Sequence, residues 1–194
     1  MSTNHRFLDL WQNDMKSVIQ ALRKIRYRLI SDMSIVSGKP IVRQPVRFCG
    51  KGKIVFDQKV SLGYFRSPFF FSGYIHIEAR TSESVIRIGK GTDVNNNCVL
   101  VSEGAGIEIG RNCLIGPEVC VFDSDFHGLL ERGKPLRGAV EIGDNVFVGG
   151  RALILKGVHV GDNSTIAGGA VVAKDVPANT VVAGNPATVV KVLE

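Results

Sequence analysis

The segment VFDSDFHGLL, residues 121–130, holds the side chains best suited to proton transfer. In it, His127 follows two aspartates, Asp123 and Asp125. A histidine imidazole titrates near neutral pH, so it can take a proton from an attacking hydroxyl and later return it to a leaving group. Asp125, Asp123 or a backbone carbonyl could hold the ring in the required tautomer through its second nitrogen. The pattern predicts a general base; an exposed loop histidine without chemistry is the competing interpretation.

A strict six-residue repeat follows this segment and must position it. Between residues 142 and 175 an aliphatic residue recurs at every sixth position without a slip, and Gly-Asp-Asn occurs at 143–145 and 161–163. Neither an α-helix nor a hairpin has this period. It is typical of a solenoid whose sides are short parallel strands. The residues expected to point inward are Ile142, Val148, Ile154, Val160, Ile166 and Val172.

The histidine lies where the repeat is interrupted. The six-residue register runs from Ile88 to Val121 with one insertion of three residues, and the next inward residue, Ile142, follows only after 21 positions. Because 21 is not a multiple of six, residues 122–141 must leave the coil. Insertions in repeat arrays project as loops, often on a functional face. We therefore expect the proton-transfer residues on a loop carried by a rigid coil.

Residues 85–191 resemble the hexapeptide-repeat acyltransferases. The ending KDVPANTVVAGNPATVVK, residues 174–191, is similar to the acyl-CoA-binding end piece of that family. A histidine in a loop that breaks the repeat is similar to the catalytic histidine of its sugar O-acetyltransferases. The resemblance implies an all-β fold, a left-handed parallel β-helix. It also implies direct transfer of an acetyl group from acetyl-CoA to a hydroxyl of a polysaccharide, lipid-linked or nucleotide-linked sugar.

The resemblance to galactoside acetyltransferases assigns further site residues by position. Asn95 matches an asparagine that binds the acceptor, and Asn97 and Asp123 are further acceptor candidates; stacked asparagines at solenoid corners are the structural alternative. Gly150 matches a residue whose backbone amide faces the thioester. The positions matching those that line the pantetheine arm and the phosphates of CoA are Gly168, Ala173, Lys174 and Lys191.

Two departures from galactoside acetyltransferases affect what the resemblance implies. The loop before His127 is one residue longer, and the basic residue expected at Thr188 is missing. Phosphate contacts at that end are therefore weaker or come from elsewhere, and the acceptor need not be a galactoside. Arg132, Lys134 and Arg137 could meet phosphates or simply be solvated. The resemblance also implies a homotrimer with each active site between two subunits.

Residues 6–30 predict an amphipathic α-helix, because apolar residues alternate steps of three and four and the basic residues lie off that stripe. One interpretation is that the stripe packs on the solenoid or on a neighbouring subunit. The other is peripheral contact with an anionic membrane surface. The residues of the stripe are Leu8, Trp11, Met15, Val18, Leu22, Ile25 and Leu29.

The chain of 194 residues suits one domain with an appendage. We expect an N-terminal helical segment over 1–40, irregular early coils over 41–84 and the β-helix core over 85–194, with the active-site loop at 122–141. The aromatic segment 67–79 fits core filling or the wall of an acceptor pocket. No nucleic-acid-binding motif accompanies the basic residues, so nucleic acid is not an expected partner.

Positive charge is concentrated at the N-terminus. Residues 1–53 hold 11 Lys/Arg and 3 Asp/Glu, a net +8, so the remaining residues carry −2 of the total of +6. No apolar run approaches the ~18 residues of a spanning helix, and the first residues lack the pattern of a signal peptide. A cytoplasmic protein is expected, at the inner membrane surface if the helix binds lipid.

The cysteines and histidines do not predict a metal site. The four cysteines have no C-x-x-C spacing and are expected to be reduced and mostly buried, and a zinc carbonic anhydrase would need three suitably spaced histidines. An N-acetyltransferase acting on an amino sugar or on serine would use the same fold. A non-catalytic β-helix scaffold is the remaining alternative.

Overall fold

The computed structural model describes residues 3–32, 35–128 and 135–194, with side chains from residue 14 onward. A single described helix, α1 (Thr3–Leu29), precedes a solenoid of short strands. The first three coils are β1 (Ile35–Ser37), β2 (Ile41–Val42), β3 (Val46–Gly50), β4 (Lys53–Phe56), β5 (Ser61–Leu62), β6 (Ile75–Ala79), β7 (Val85–Ile88), β8 (Asp93–Val94) and β9 (Val99–Ser102).

Three further coils and a terminal hairpin complete the solenoid. Their strands are β10 (Ile107–Ile109), β11 (Leu114–Ile115), β12 (Cys120–Phe122), β13 (Val140–Ile142), β14 (Phe147–Val148), β15 (Leu153–Ile154), β16 (His159–Val160), β17 (Thr165–Ile166), β18 (Val171–Val172), β19 (Thr180–Gly184) and β20 (Ala187–Val192). The last two pair antiparallel; the other pairs are parallel.

Each coil contributes one strand to each of three sheets. Sheet A is β1-β4-β7-β10-β13-β16, sheet B is β2-β5-β8-β11-β14-β17-β19-β20, and sheet C is β3-β6-β9-β12-β15-β18. The chain turns from B to C at one corner and from C to A at another; we call these the BC corner and the CA corner. The predicted left-handed parallel β-helix with an N-terminal helix is confirmed.

The six-residue register explains the core. In sheet B, Val94, Ile115, Val148 and Ile166 stack in direct register, and none of them is more than 2% exposed. The residue before each points outward, because successive side chains of a strand alternate between its faces. Each turn of the coil thus buries one aliphatic side chain per sheet, and the burial of this apolar surface stabilises the solenoid.

The early coils are more regular than predicted. β1 begins at Ile35, inside the expected N-terminal segment, and pairs with β4 in register; β4 pairs with β7 from Lys53↔Val85 onward. The regular coil therefore includes most of the segment expected to be irregular. These regular coils are not evident in the sequence, because the chain leaves the coil between Leu62 and Ile75 and this excursion breaks the six-residue spacing.

The solenoid therefore carries two excursions rather than the one predicted. The first loop, residues 63–74, leaves at the BC corner between β5 and β6. The second loop, residues 123–139, leaves at the CA corner between β12 and β13. Since each loop starts and ends on paired strands, both are held at their base by the rigid coil.

Helix α1 packs on the solenoid through its polar side. Gln20 is 6% exposed, and its Nε2 donates to the carbonyl oxygens of Arg43 at 3.0 Å and Phe70 at 3.1 Å. Arg23 also donates to the Phe70 carbonyl, at 2.9 Å. The ring of Tyr27 lies 4.6 Å from that of Tyr74. These contacts fix the helix against the first loop.

The apolar side of α1 faces away from the solenoid, so the expected packing of the stripe on the coil is wrong. The opposite side is occupied by Gln20 and Arg23. No described helix combines the length and apolar character needed to cross a bilayer. We call the exposed residues the apolar stripe of α1: Met15, Val18, Ile19, Leu22, Ile25 and Leu29.

Candidate active site

The predicted site residues fall at two corners of the coil. Gly150 is at the BC corner, and Lys156, which contacts the second loop, is six residues further along at the CA corner. At ~3.3 Å per extended residue, the two corners are on the order of 15–20 Å apart. One chain therefore does not bring them together. The BC corner holds Asn95, Asn97, Gly150 and Gly168; the CA corner holds Asp123, Asp125, His127, Ala173 and Lys174.

At the BC corner two backbone amides are free. The Gly150 carbonyl accepts from the Gly169 amide at 2.9 Å, and Arg151 donates to Pro117 at 2.9 Å, but within the described residues the N–H groups of Gly150 and Gly168 have no acceptor. Unpaired backbone donors on a rigid turn are suited to bind a carbonyl oxygen or an oxyanion. The two glycines thus supply donors without side chains in the way.

Glycine is required at this corner because the coils approach closely. A Cβ on Gly149 would lie 2.4 Å from the Gly168 nitrogen, and one on Gly116 would lie 2.5 Å from the Gly150 nitrogen. Both separations are below any van der Waals contact. The small residues that the repeat places here therefore let successive turns stack and keep the amides accessible.

A cavity of about 280 Å³ lies on the outer face of sheet B beside Asn95. Asn95 accepts a 2.7 Å hydrogen bond from the Asn96 amide through Oδ1, and its Nδ2 has no partner among the described residues. That nitrogen is available to donate to a ligand. The walls of the cavity include Arg43, Tyr64, Asp93, Leu114 and Phe147.

The two neighbouring asparagines support the first loop instead. Asn97 has φ +63°, and its Oδ1 accepts from the Tyr74 amide at 3.2 Å. Asn96 is fully buried; its side chain accepts from the Tyr64 amide at 2.9 Å and donates to the carbonyls of Tyr64 and Pro68, each at 2.9 Å. The Asn97 side chain thus holds the first loop, whereas the stacked asparagines of the coil are Asn145, Asn163 and Asn179. Sequence reasoning missed Asn96, although its place between Asn95 and Asn97 predicts an inward side chain.

A second cavity of about 460 Å³ lies between α1 and the first loop. Arg43 lines both cavities, so the two adjoin. Lys16, Lys24 and Arg43 form no ion pair with any described residue, and none of the side chains described around this cavity is acidic. Phe65, Phe70 and Phe71 make its apolar wall. Phe70 and Phe71 of the aromatic segment therefore line a pocket, whereas Ile75 and Ile77 of the same segment are buried in the core.

Asp123 is structural, which corrects the expectation that it contacts the acceptor or orients His127. Its side chain is fully buried, and Oδ2 accepts from Ser102 Oγ and the Gly106 amide, each at 2.7 Å. Oδ1 accepts from the Glu103 amide at 2.6 Å. Both oxygens thus bind the three-residue insertion that precedes β10. The carboxylate anchors the base of the second loop.

Asp125 is also engaged elsewhere. Its Oδ1 lies 2.9 Å from Lys156 Nζ, and its carbonyl accepts from the His127 amide at 2.7 Å. Among the described residues neither aspartate contacts the imidazole, which is exposed. Asp125 therefore fixes the backbone that carries His127 rather than its ring.

Phe126 sets the direction of the second loop just before His127. It adopts φ +59°, and its amide donates to Ser124 Oγ at 2.9 Å. The guanidinium carbon of Arg80 lies 4.7 Å from the centre of its ring, a cation–π contact. The histidine thus projects from a fixed base. Nothing in the sequence near residue 126 indicates Arg80, because the contact joins strands two coils apart.

The predicted CoA-binding residues are accessible. Ala173 and Lys174 are exposed at the CA corner, and Lys191 is exposed on β20 opposite Val181. Of the loop cations, Arg137 pairs with Ser124 in an isolated bridge, and Arg132 and Lys134 lie outside the described residues.

The cysteines are free, and three of the four are buried. Burial raises the pKa of the Cys98 thiol to about 12, so it stays protonated and unreactive. In the described ranges no three His, Cys, Asp or Glu side chains are grouped to hold a metal ion.

Comparison with known proteins agrees with this architecture. Residues 139–174 match the family described as the hexapeptide repeat of succinyl-transferase. Nodulation protein L of Rhizobium leguminosarum bv. viciae is 48% identical over 107 residues, which cover 54% of this chain and 56% of that protein. Galactoside O-acetyltransferase of Escherichia coli (strain K12) is 37% identical over 111 residues, 56% of this chain and 54% of that protein.

A solved structure extends the likeness over the whole chain. The hexapeptide-repeat acetyltransferase of Vibrio cholerae O1 biovar eltor, determined with acetyl coenzyme A, aligns with a TM-score of 0.56 and 26% identity. The alignment covers 100% of this chain and 91% of that one. The chain spans about half the length of the curated relatives it matches.

The repeat, the three-sided coil and these matches define a hexapeptide-repeat protein of the left-handed β-helix class. Within that class its relatives above include named acetyltransferases, and the resemblance to hexapeptide-repeat acyltransferases is confirmed.

Proposed function

We propose that this protein is an acetyl-CoA-dependent O-acetyltransferase that acts on a sugar hydroxyl, with His127 as general base. The observation that carries the proposal is that one chain has both a histidine on an anchored loop and, at a separate glycine corner, backbone amides with no acceptor among the described residues. A base and preorganised oxyanion donors are what transfer from a thioester requires. The named relatives supply the reaction class.

The two halves of this site are completed by a second subunit. His127 and Gly150 occupy different corners of one chain, on the order of 15–20 Å apart. In a closed trimer each subunit presents a different face to each neighbour, so the CA corner of one can meet the BC corner of the next. We therefore propose a homotrimer with three equivalent sites between subunits.

The chemistry follows from these positions. His127 accepts the proton of the acceptor hydroxyl while that oxygen attacks the thioester carbonyl. The Gly150 N–H donates to the developing oxyanion, a type of contact worth ~10²–10³ in rate. When the tetrahedral intermediate collapses, the C–S bond breaks and the imidazolium returns its proton to the departing CoA thiolate. No covalent enzyme intermediate is needed.

The CoA molecule is held along the coil. Gly168 offers a second unpaired amide next to Gly150 on the path of the pantetheine arm. Ala173 and Lys174 are exposed at the CA corner, which in the proposed trimer meets this BC corner from the neighbouring subunit, and Lys191 on β20 adds positive charge for the phosphates. Lys174 and Lys191 thus compensate in part for the threonine at position 188.

The acceptor lies in the cavity beside Asn95, whose free Nδ2 donates to a sugar oxygen. Tyr64, Leu114 and Phe147 offer apolar surface for the sugar ring. Arg43 and Asp93, neither of which has an ion-pair partner among the described residues, put one charge of each sign on the cavity wall, so an anionic group of the acceptor would bind on the Arg43 side. A sugar carrying a phosphate or carboxylate, as in lipid-linked, nucleotide-linked or acidic polysaccharide acceptors, satisfies both features.

Thiol release from acetyl-CoA tests the proposal. We would compare wild type, His127→Ala and the control His159→Ala, whose exposed imidazole pairs with Glu141 on the outside of the coil. The acceptor panel holds neutral sugars, nucleotide sugars, amino sugars and serine.

Sugar-dependent release that falls by ~10²-fold or more in His127→Ala, and stays within twofold in His159→Ala, supports the base assignment. Unchanged release in His127→Ala would refute the mechanism. Release only with amines would favour an N-acetyltransferase, and absence of CoA binding would favour a scaffold. Light scattering of the same samples tests the trimer.

A further inference from the structure

The apolar stripe of α1 is exposed, and no described residue of the chain covers it. Val18, Leu22, Ile25 and Leu29 are 56%, 61%, 55% and 79% exposed, although they have the spacing of a buried helical face. Such a continuous exposed apolar surface marks a site of interaction with another molecule or a membrane.

The helix cannot simply roll the stripe inward. Gln20 and Arg23, on the other side, make hydrogen bonds to the carbonyls of Arg43, Phe70 and Gly73. Gln20 is nearly fully buried, so rotating α1 would leave its amide and those carbonyls without hydrogen-bond partners, which is unfavourable for buried polar groups. These hydrogen bonds of Gln20 and Arg23, which we call the polar seam of α1, therefore keep the stripe on the outward side of the helix.

Exposed apolar residues also occur on the first coil, whose strand β3 contacts α1. Ile35 and Val36 of β1 and Ile41 of β2 are 61%, 39% and 49% exposed. This coil is the end of the solenoid, because β1 and β2 are the first strands of sheets A and B. The apolar surface and α1 thus share one end of the molecule.

The same end carries the positive charge. Residues 1–53 have a net charge of +8, against −2 for residues 54–194. The sequence of α1 has two acidic residues, Asp9 and Asp14, and six basic ones: Arg6, Lys16, Arg23, Lys24, Arg26 and Arg28. Arg23 binds the first loop and Lys16 and Lys24 line the cavity beside it, so Arg26 and Arg28 are the described cations next to the stripe. A second copy covering the stripe with its own stripe would bring two basic helices together. An anionic surface is complementary to them.

We propose that the apolar stripe of α1 docks this end of the molecule on an anionic phospholipid surface. The stripe enters the boundary between headgroups and acyl chains, and the exposed Arg26 and Arg28 beside it meet lipid phosphates. Apolar burial combined with basic charge is the physical basis of interfacial helix binding. The inference does not depend on the acetyltransferase reaction.

Cyclic symmetry would strengthen this docking. In the proposed trimer the three copies of α1 lie at the same height along the symmetry axis, because rotation about that axis leaves height unchanged. Three weak helices then engage one surface together, and their effective affinity exceeds that of a single helix by ~10²-fold or more.

Vesicle co-sedimentation of the full-length protein tests the proposal. One set of vesicles is phosphatidylcholine alone, and the other contains phosphatidylglycerol at three parts in ten. The variant Leu22→Glu/Ile25→Glu places two charges in the stripe. The matched control is Val192→Glu/Val190→Glu, since those side chains on β20 are 67% and 60% exposed. Circular dichroism and light scattering check the fold and assembly of each protein.

We expect binding to the anionic vesicles, a loss of roughly 10²-fold in partitioning for the stripe variant, and little change for the control. Added salt should weaken binding because it screens the basic residues. Failure to bind anionic vesicles, or equal binding by the stripe variant, would overturn the proposal. Dissociation of the stripe variant into smaller species without lipid would show instead that a second copy covers the stripe.

Free inorganic phosphate separates the lipid surface from its headgroup chemistry alone. We expect millimolar phosphate to leave vesicle binding of the wild type nearly unchanged at constant ionic strength, because the apolar stripe contributes too. Full displacement by phosphate would mean that a phosphate site, rather than a surface, binds the vesicles, and would also overturn the proposal.

Discussion

The regularly spaced apolar residues are buried in the coils and exposed on the helix. In the coils every sixth residue is aliphatic and buried, whereas in α1 the regularly spaced apolar residues are the exposed ones and Gln20 is buried. Both patterns are periodic and both produced the predicted element. Periodicity therefore identifies which side chains share a face.

Whether that face is buried depends on the groups of the chain that lie next to it. A coil closes on itself, so its inward residues always meet other inward residues. The helix meets a loop whose carbonyls at Phe70 and Gly73 are free to accept, and polar side chains satisfy them better than leucine would. The buried side of α1 is thus chosen by the hydrogen-bonding needs of the first loop.

The sharpest test of this contrast replaces one aliphatic residue of each kind. Ile154→Ala should lower the free energy of unfolding by about 2–5 kcal/mol, because it opens a cavity in a fully buried stack. Leu22→Ala should change it by less than about 0.5 kcal/mol. Urea denaturation of both variants measures the difference. Equal destabilisation would mean that the stripe is covered within the folded protein.

Buried polar residues of the coil should come next in effect. Asp123→Ala should destabilise by about 2 kcal/mol, since it leaves the amides of Glu103 and Gly106 without acceptors. The control is Asp125→Ala in the same loop, whose partly exposed pair with Lys156 is worth ~0–1 kcal/mol. Thermal denaturation compares the two. If Asp125→Ala cost as much, the anchoring role assigned to Asp123 would be wrong.

Substitutions in the polar seam of α1 should destabilise the protein less than Asp123→Ala does. Gln20→Ala removes one hydrogen bond to the first loop, at Phe70, and one to the carbonyl of Arg43. We expect a loss of about 1 kcal/mol that is confined to α1. Hydrogen exchange should speed up in α1 while the strands of sheet B keep their protection. The adjacent Ala21 is exposed, so Ala21→Ser serves as the control. Uniform acceleration throughout the coils would contradict a local role.

Most of the coil could be predicted because its signal is local and repeated. Val148 and Ile166 occupy the same place in successive turns, so one turn predicts the next. The regularity of the coils before Ile88 could not be predicted, because the loop at 63–74 interrupts the six-residue spacing. An excursion is recognisable only when regular repeats flank it on both sides, as at 122–141.

The site was less predictable because its geometry is non-local. The position of His127 on a loop follows from the repeat, but its supports do not. Asp123 and Asp125 have equivalent settings in the sequence, and only the fold shows that one binds the insertion before β10 and the other binds Lys156. Likewise, alternation could have separated Asn96 from Asn95, whereas the contact of Arg80 with Phe126 had no local signal.

The smallest effect on stability should come from the Arg80–Glu78 ion pair on the outer face of sheet C, and this effect should depend on pH. Arg80 donates to Glu78 at 2.9 and 3.2 Å, and this hydrogen bonding, helped by His76, lowers the pKa of the Glu78 carboxyl from its ordinary value of 4.5. Burial opposes the shift but does not cancel it. Because the folded pKa lies below the unfolded one, the stabilisation is complete above the unfolded value and is lost as the pH falls through the folded value.

The pair is partly exposed, so its contribution should stay below about 1 kcal/mol. Glu78→Gln should therefore be slightly less stable than wild type at pH 7, and the difference should vanish in acid, below the ordinary range of a glutamate carboxyl. Denaturant midpoints measured from pH 7 down to pH 3 would show this convergence. A gap that persisted at pH 3 would mean that Glu78 stabilises the coil through packing rather than through its charge.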